Sequence, residues 1–238
     1  KPNGGVRNLG IPTAMDRVIQ QAMVQVLSPI CELHFSEFSY GFRPNRSCEM
    51  AVLKLLEYFN DGYVWMVDID LEKFFDNVPQ DKLMSYVHRV INDGDTESLI
   101  RKYLQAGVMI KGVKHETEVG TPQGGNLSPM LSNIILTELD KELEFRGLRF
   151  TRYADDCMIV VKSEASAKRV MRTITEWIER KLGLKVNMTK TKVTTPSKVK
   201  YLGFGFYFDS KSQSWKPRPH EESLMKFKRK LKALTSRS

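Results

Sequence analysis

An α+β fold is what this sequence predicts, because amphipathic helical stripes and short apolar strands follow one another without the regular alternation of a doubly wound sheet. Two further observations sharpen it. The segment Tyr63–Asp70 alternates with period two and ends in Asp68 and Asp70, and the run around Tyr153-Ala154-Asp155-Asp156 reads as strand, tight turn and strand with adjacent carboxylates at its tip. Carboxylates therefore leave a predicted sheet at two places.

The first helix is expected to start after Thr13, with Asp16 completing a variant of the capping box. Val18, Ile19, Ala22, Met23, Val26 and Leu27 then fall at helical spacing, the pattern of a core-facing stripe. A second helix follows Ser47 and buries Val52, Leu55, Leu56 and Phe59. In the strand that comes next, Tyr63, Trp65, Val67 and Ile69 share one face, while Val64, Met66, Asp68 and Asp70 share the other. A third helix runs from Pro79 to about Ile91. Ser128 and Pro129 read as N-cap and first turn of a longer helix through Leu131, Ile134, Ile135, Leu139 and Leu143.

Residues 148–153 and 157–161 are β-branched or aromatic runs joined by Ala154-Asp155-Asp156. A helix from Ala165 to Leu182 then ends at Gly183. Tyr201–Phe206 alternates aromatics with glycines as a strand would, and glycine in a strand often marks close backbone approach. From Lys216 to Ser238, eight Lys or Arg stand against two Glu, with Phe227, Leu231 and Leu234 at helical spacing. That stretch reads as an amphipathic basic helix.

Asp70 beside Asp155 and Asp156 would offer oxygen-only ligands, which suit Mg²⁺ better than zinc or copper. An Asp-Asp turn can also be nothing more than side chains capping their own backbone. Two ions flanking a phosphoryl centre would be the arrangement for in-line displacement. Asp68 shares the face of Asp70 one strand repeat away, about 6.8 Å, and reads as a supporting or structural acceptor. Asp76 reads as structural too.

The 238 residues carry 37 Lys or Arg against 28 Asp or Glu, a net charge of +9 that favours a polyanionic partner. Cys31, Cys48 and Cys157 have no ligand spacing, which argues against zinc and disulfides and fits a reducing compartment. The four histidines, His34, His88, His115 and His220, suggest no metal site or dyad. Nucleophile-elbow and Walker patterns are absent from the sequence, so hydrolase and P-loop chemistry lack support. With neither a charged-then-apolar leader nor a long uncharged run, secretion and membrane insertion are not expected, and the location expected is cytoplasm or an organellar matrix. The first residue is Lys, and Lys-Pro-Asn-Gly-Gly reads as cut from something longer.

Asp70-Leu71-Glu72-Lys73-Phe74-Phe75-Asp76, Gly120-Thr121-Pro122-Gln123-Gly124-Gly125-Asn126-Leu127-Ser128-Pro129 and Tyr153-Ala154-Asp155-Asp156 resemble three successive blocks of reverse transcriptases, in order. Finer detail is similar to the maturase branch encoded by bacterial and organellar group II introns. Arg7–Pro12 resembles its first block and Ser39–Ser47 its second, while Thr189-Lys190-Thr191 and Tyr201-Leu202-Gly203-Phe204 resemble its last palm blocks.

The resemblance implies a right-hand polymerase with an antiparallel palm sheet packed on helices. Fingers would comprise residues 1–60 and 79–125, palm 61–78 and 126–212, and residues 213–238 a basic helical segment leading to a thumb. It implies Asp70, Asp155 and Asp156 as catalytic carboxylates holding two Mg²⁺ ions, Mn²⁺ being able to substitute, with the Leu71 carbonyl completing a shell. Lys1 and Arg7 would clamp the triphosphate, Gln123 would contact the nucleotide and Phe75 would exclude a 2′-hydroxyl. Lys190 would protonate the departing pyrophosphate, with Lys192 as its rival, and Tyr201, Leu202 and Gly203 would steady the primer end. The implied partners are dNTP, an RNA template with a DNA primer, and group II intron RNA. The alternatives are an RNA-binding splicing cofactor without catalysis and a reverse transcriptase of another bacterial retroelement. Self-association is expected where apolar residues lack a thumb to pack on.

Overall fold

Alternating apolar side chains at Trp65–Ile69 (β1) form the centre of a four-stranded antiparallel sheet, ordered β4-β5-β1-β6, with β4 at Arg149–Tyr153, β5 at Asp156–Val161 and β6 at Lys192–Thr194. The structure, a computed structural model, describes residues 10–110, 113–122 and 124–235. Lys1, Arg7 and Gln123 lie outside the described residues.

Both faces of this sheet are buried. Val67, Ile69, Phe150, Cys157 and Ile159 pack into the larger core beneath three helices: α4 (Gln80–Ile91), α6 (Ser128–Phe145) and α7 (Glu164–Trp177). Met66, Met158 and Val160 face a second core made with α2 (Cys48–Asn60), Tyr40, Val199, Tyr201 and Phe206. The predicted split of β1 into two apolar faces is thus what the packing uses. A second ribbon, β7 (Phe204–Asp209) with β8 (Ser214–Pro219), closes that second core through Phe206 and Trp215.

Helix starts follow the capping signals. Thr13 accepts a hydrogen bond from the Asp16 amide to open α1 (Ala14–Glu32), and Ser47 does the same for Met50 in α2. Thr13→Ala is expected to cost about 1 kcal/mol of stability, read from the denaturant midpoint at unchanged slope. Ser128 departs from the expectation: the N-cap of α6 is Leu127, because the Ser128 hydroxyl donates to the Pro122 carbonyl at 2.6 Å. It ties a loop down instead of capping a helix.

Three further expectations are corrected. The stripe on α1 is not core as a whole: Leu27 is buried as expected, but Val18 and Val26 are exposed and the helix also buries Gln20 and Cys31. Asp156 is the first residue of β5, outside the turn, because its backbone still pairs with Tyr153. Phe74 and Phe75 lie on a short helical turn, α3 (Phe74–Asn77), which buries Phe74 and leaves Phe75 half-buried. The stretch after Lys216 is not helical throughout. Pro217 and Pro219 sit in β8, where a two-stranded ribbon leaves alternate amides unpaired, and the basic helix α8 begins only at Glu221 and runs to Thr235.

The helix from the Ala165 region continues as a π-turn over Ile178–Leu182 before ending at Gly183. Unannounced by any strong signal are α5 (Gly94–Gln105), capped by Asp93, and the small hairpin of β2 (Val108–Ile110) and β3 (Val113–His115). No described helix is long and apolar enough to cross a membrane. All three cysteines are free thiols.

Candidate active site

Sheet register brings the carboxylates together. In the β1–β5 pairing Asp68 faces Met158 and Ile69 faces Cys157, so one further step sets Asp70 opposite Asp156. Directly opposed residues of an antiparallel pair lie about 4.5–5.5 Å apart at Cα and share a face. On the other side of β1, Asp68 faces Lys192, and the Lys190 ammonium lies 3.3 Å from the Asp70 carboxylate. The Lys192 ammonium lies 3.9 Å from Asp68. Of the two lysines the sequence left open, Lys190 is therefore the one at Asp70.

Asp70 is clamped through its backbone. Its amide donates to the Thr191 hydroxyl at 3.1 Å and its carbonyl accepts from the Asn187 amide at 2.8 Å. The Glu72 amide donates to the Lys185 carbonyl, so Leu71 is the unbonded centre of its bridge with Val186. In such a bridge the central residue turns its own amide and carbonyl to the opposite side, here towards the β4–β5 hairpin. The Leu71 carbonyl accordingly points to the side where Asp155 and Asp156 stand.

The hairpin turn contains only Ala154 and Asp155, closed by the pair Tyr153 and Asp156. Ala154 has φ 57°, a left-handed conformation that an L-residue adopts at a cost. Asp156 is open to solvent on one side, yet the protein packed round its carboxylate is the largest cause raising its pKa, to about 6. The charges of Asp155, Asp68 and Asp70 push the same way, and Lys190 opposes them. Asp68 is also shifted up, by burial first and by Asp70, against Lys192. Four acids crowded at one sheet end favour a cation there. Their all-oxygen donor chemistry fits a hard divalent ion, although among the described residues no three His, Cys, Asp or Glu side chains already enclose one.

Phe75 is half-buried against Phe74, ring centroids 5.1 Å apart, and its carbonyl accepts from the Thr121 amide at 2.7 Å. The Gly120 amide bonds to the Val78 carbonyl, and the buried Gln80 side chain donates to the Gly120 carbonyl. The loop before Gln123 is thereby fastened to the turn that carries Phe75. Gly124, at φ +105°, makes its close approach to the Gly10 carbonyl, where an added Cβ would come within 2.3 Å. The glycine turn is thereby packed against the N-terminal segment. Tyr201 is buried in the second core, its hydroxyl 3.3 Å from that of Thr151, so its ring supports the sheet, and Leu202 and Gly203 of that turn are half-buried, Leu202 packing on the same core.

Sequence reading missed the residues that hold these groups in place. Thr191 and Asn187 clamp Asp70, while Arg152, Asp140, Asn133 and Gly41 surround the hairpin turn. Only Gly41 and Thr191 carried a signal, as members of blocks whose other residues drew attention.

A family model described as reverse transcriptase (RNA-dependent DNA polymerase) matches residues 1–206. Protein YkfC of Escherichia coli K12 is 34% identical over 231 residues, 81% of this chain and 61% of that protein. Group II intron-encoded protein LtrA of Lactococcus lactis is 42% identical over 147 residues, 62% of this chain and 24% of that protein. The chain thus spans less than two thirds of these relatives' length. An apo telomerase structure from Candida tropicalis shares the fold, with a TM-score of 0.62 at 14% identity over 90% of this chain and 42% of that one. Fold class and sequence therefore agree on a right-hand polymerase, and the chain belongs to the reverse transcriptase family and is similar to its group II intron-encoded members.

Proposed function

We propose that this chain is the polymerising part of a group II intron reverse transcriptase, joining a dNTP to the 3′-hydroxyl of a DNA primer paired to an RNA template. The observation that carries this reading is the register of β1 against β5, which opposes Asp70 to Asp156 beside the Asp155 turn. Residues 1–60 and 79–125 serve as fingers, 61–78 and 126–212 as palm, and residues 213–238 lead towards a thumb.

Asp70, Asp155, Asp156 and the Leu71 carbonyl would hold two Mg²⁺ ions. When bound, such ions lower the pKa of an attacking hydroxyl and neutralise charge on the transferring phosphate. Phosphoryl transfer asks the protein mainly for position and charge, so the chain's own contribution is orientation. The Thr191 and Asn187 bonds hold Asp70, and Arg7 with Lys1 clamps the triphosphate from the fingers. Lys190, already at Asp70, supplies a proton to the departing pyrophosphate. Leu202 and Gly203 line the primer end.

Phe75 lies under the sugar and, lacking a hydroxyl, leaves an extra 2′-oxygen desolvated without a partner. Phe75→Ala is expected to raise ribonucleotide use relative to deoxynucleotide by at least about tenfold, ~1.4 kcal/mol of selectivity, measured as a ratio of kcat/KM. The basic surface and the relatives named for introns also support binding of intron RNA for splicing and retrohoming.

The test is extension of a DNA primer on an RNA template with dNTPs and Mg²⁺, using the chain in its full-length context. Template-dependent extension carries the proposal. Tight binding of structured RNA with no extension would replace it with the splicing-cofactor reading.

A further inference from the structure

We infer that Arg152 and Asp140 are positioning residues for polymerisation, acting on the turn that presents Asp155; the inference rests on the function proposed above. Arg152 is wholly buried on β4, on the sheet face opposite the carboxylates. Its Nε and Nη2 donate to the two oxygens of Asp140 on α6, at 2.7 and 2.6 Å. Its Nη1 donates to the Ala154 carbonyl at 2.9 Å and to Asn133 Oδ1 at 2.9 Å. Asn133 in turn donates to the Gly41 carbonyl at 2.8 Å.

The Ala154 carbonyl belongs to the peptide plane that includes the Asp155 amide, so a fixed donor on that oxygen sets where Asp155 begins. The entry to the turn is blocked as well. A Cβ on Gly41 would lie 2.2 Å from the Ala154 nitrogen, and the Tyr40 amide bonds to the Arg152 carbonyl at 2.8 Å. A left-handed alanine is thus held from both sides, by Arg152 at its exit and by Gly41 at its entry. Stability alone gives little reason for this arrangement, since well-packed apolar residues commonly replace a buried ion pair without loss. What apolar residues do not supply is a donor aimed at the Ala154 carbonyl. Lysine does not supply it either while also holding Asp140, because it lacks the planar fork.

The experiment compares wild type, the double variant Asp140→Leu/Arg152→Met and Arg152→Lys, each in the full-length protein. Thermal unfolding measures the folded fraction, and single-nucleotide incorporation at saturating primer–template measures the maximal rate and the half-saturating dNTP and Mg²⁺ concentrations. The double variant is expected to stay folded and lose about 100-fold in maximal rate per folded molecule, the scale of a displacement near 1 Å. Its dNTP half-saturation should move less than threefold on this order-of-magnitude reckoning, while the Mg²⁺ requirement rises. Arg152→Lys should fall between the two. If the double variant does not fold, the same criteria apply to Arg152→Lys. A folded variant that incorporates at the wild-type rate, or a loss that merely tracks the unfolded fraction, overturns the inference. Failure of the wild type itself to extend overturns the underlying polymerase reading, and is seen before any variant is compared.

Discussion

Asp155→Ala is expected to lower primer extension by about three orders of magnitude, ~4 kcal/mol of transition-state stabilisation, while leaving the fold intact. The carboxylate stands on a two-residue turn whose backbone is held by other residues, through bonds that do not involve the Asp155 side chain. It also removes one of the charges that raise the pKa of Asp156, and so relieves repulsion among the acids. The variant should therefore melt no lower than wild type. A single-turnover rate within tenfold of wild type, on that same scale of kcal/mol per decade, would remove Asp155 from the proposed site.

Asp140→Leu alone should have the largest effect on stability, about 3–5 kcal/mol, because it leaves the Arg152 guanidinium buried with no carboxylate. Both side chains of that pair are fully inaccessible to solvent, so water does not reach the charge left behind. Adding Arg152→Met to the same chain should restore most of the loss, since the pair's apolar replacement leaves no net charge buried. Denaturant midpoints of the two single variants and the double variant close this cycle. Roughly additive losses in the double variant would mean that each residue acts through separate contacts.

Much of the fold was legible because its signals are local. Period-two alternation marked β1, and the tight Ala-Asp-Asp connection marked the β4–β5 hairpin. Thr13 and Ser47 marked helix starts by side chains that do cap them. What escaped depends on partners distant in sequence. Periodicity identified an apolar stripe on α1 but not its neighbour, and the helix turned Gln20 inward, where its side-chain oxygen accepts from the Leu127 amide. Helix α5 has only a thin apolar stripe, burying Ile100 and Leu104, and β8 hides behind two prolines.

The candidate site divides in the same way. Asp70, Asp155 and Asp156 were readable as carboxylates at strand ends, and family resemblance gave them roles. Arg152 looks like one more basic residue in a basic chain, and its partner Asp140 lies on a different element with no local pattern joining them. Ion pairs across layers leave no periodic trace in one sequence. Lys190 could be separated from Lys192 only once pairing put one on Asp70 and the other on Asp68.

The central strand has an apolar core on each face, and this limits how the protein can change. Slipping β1 by one residue against β5 would send Val67 and Ile69 to the wrong layer and carry Asp70 away with them. Lengthening an exposed connection between helices, by contrast, leaves that alignment untouched. Insertions can accumulate at such connections, whereas a single deletion inside five residues of β1 would dismantle the arrangement. Diversity in this molecule should thus be found as variation in length around strands of constant length.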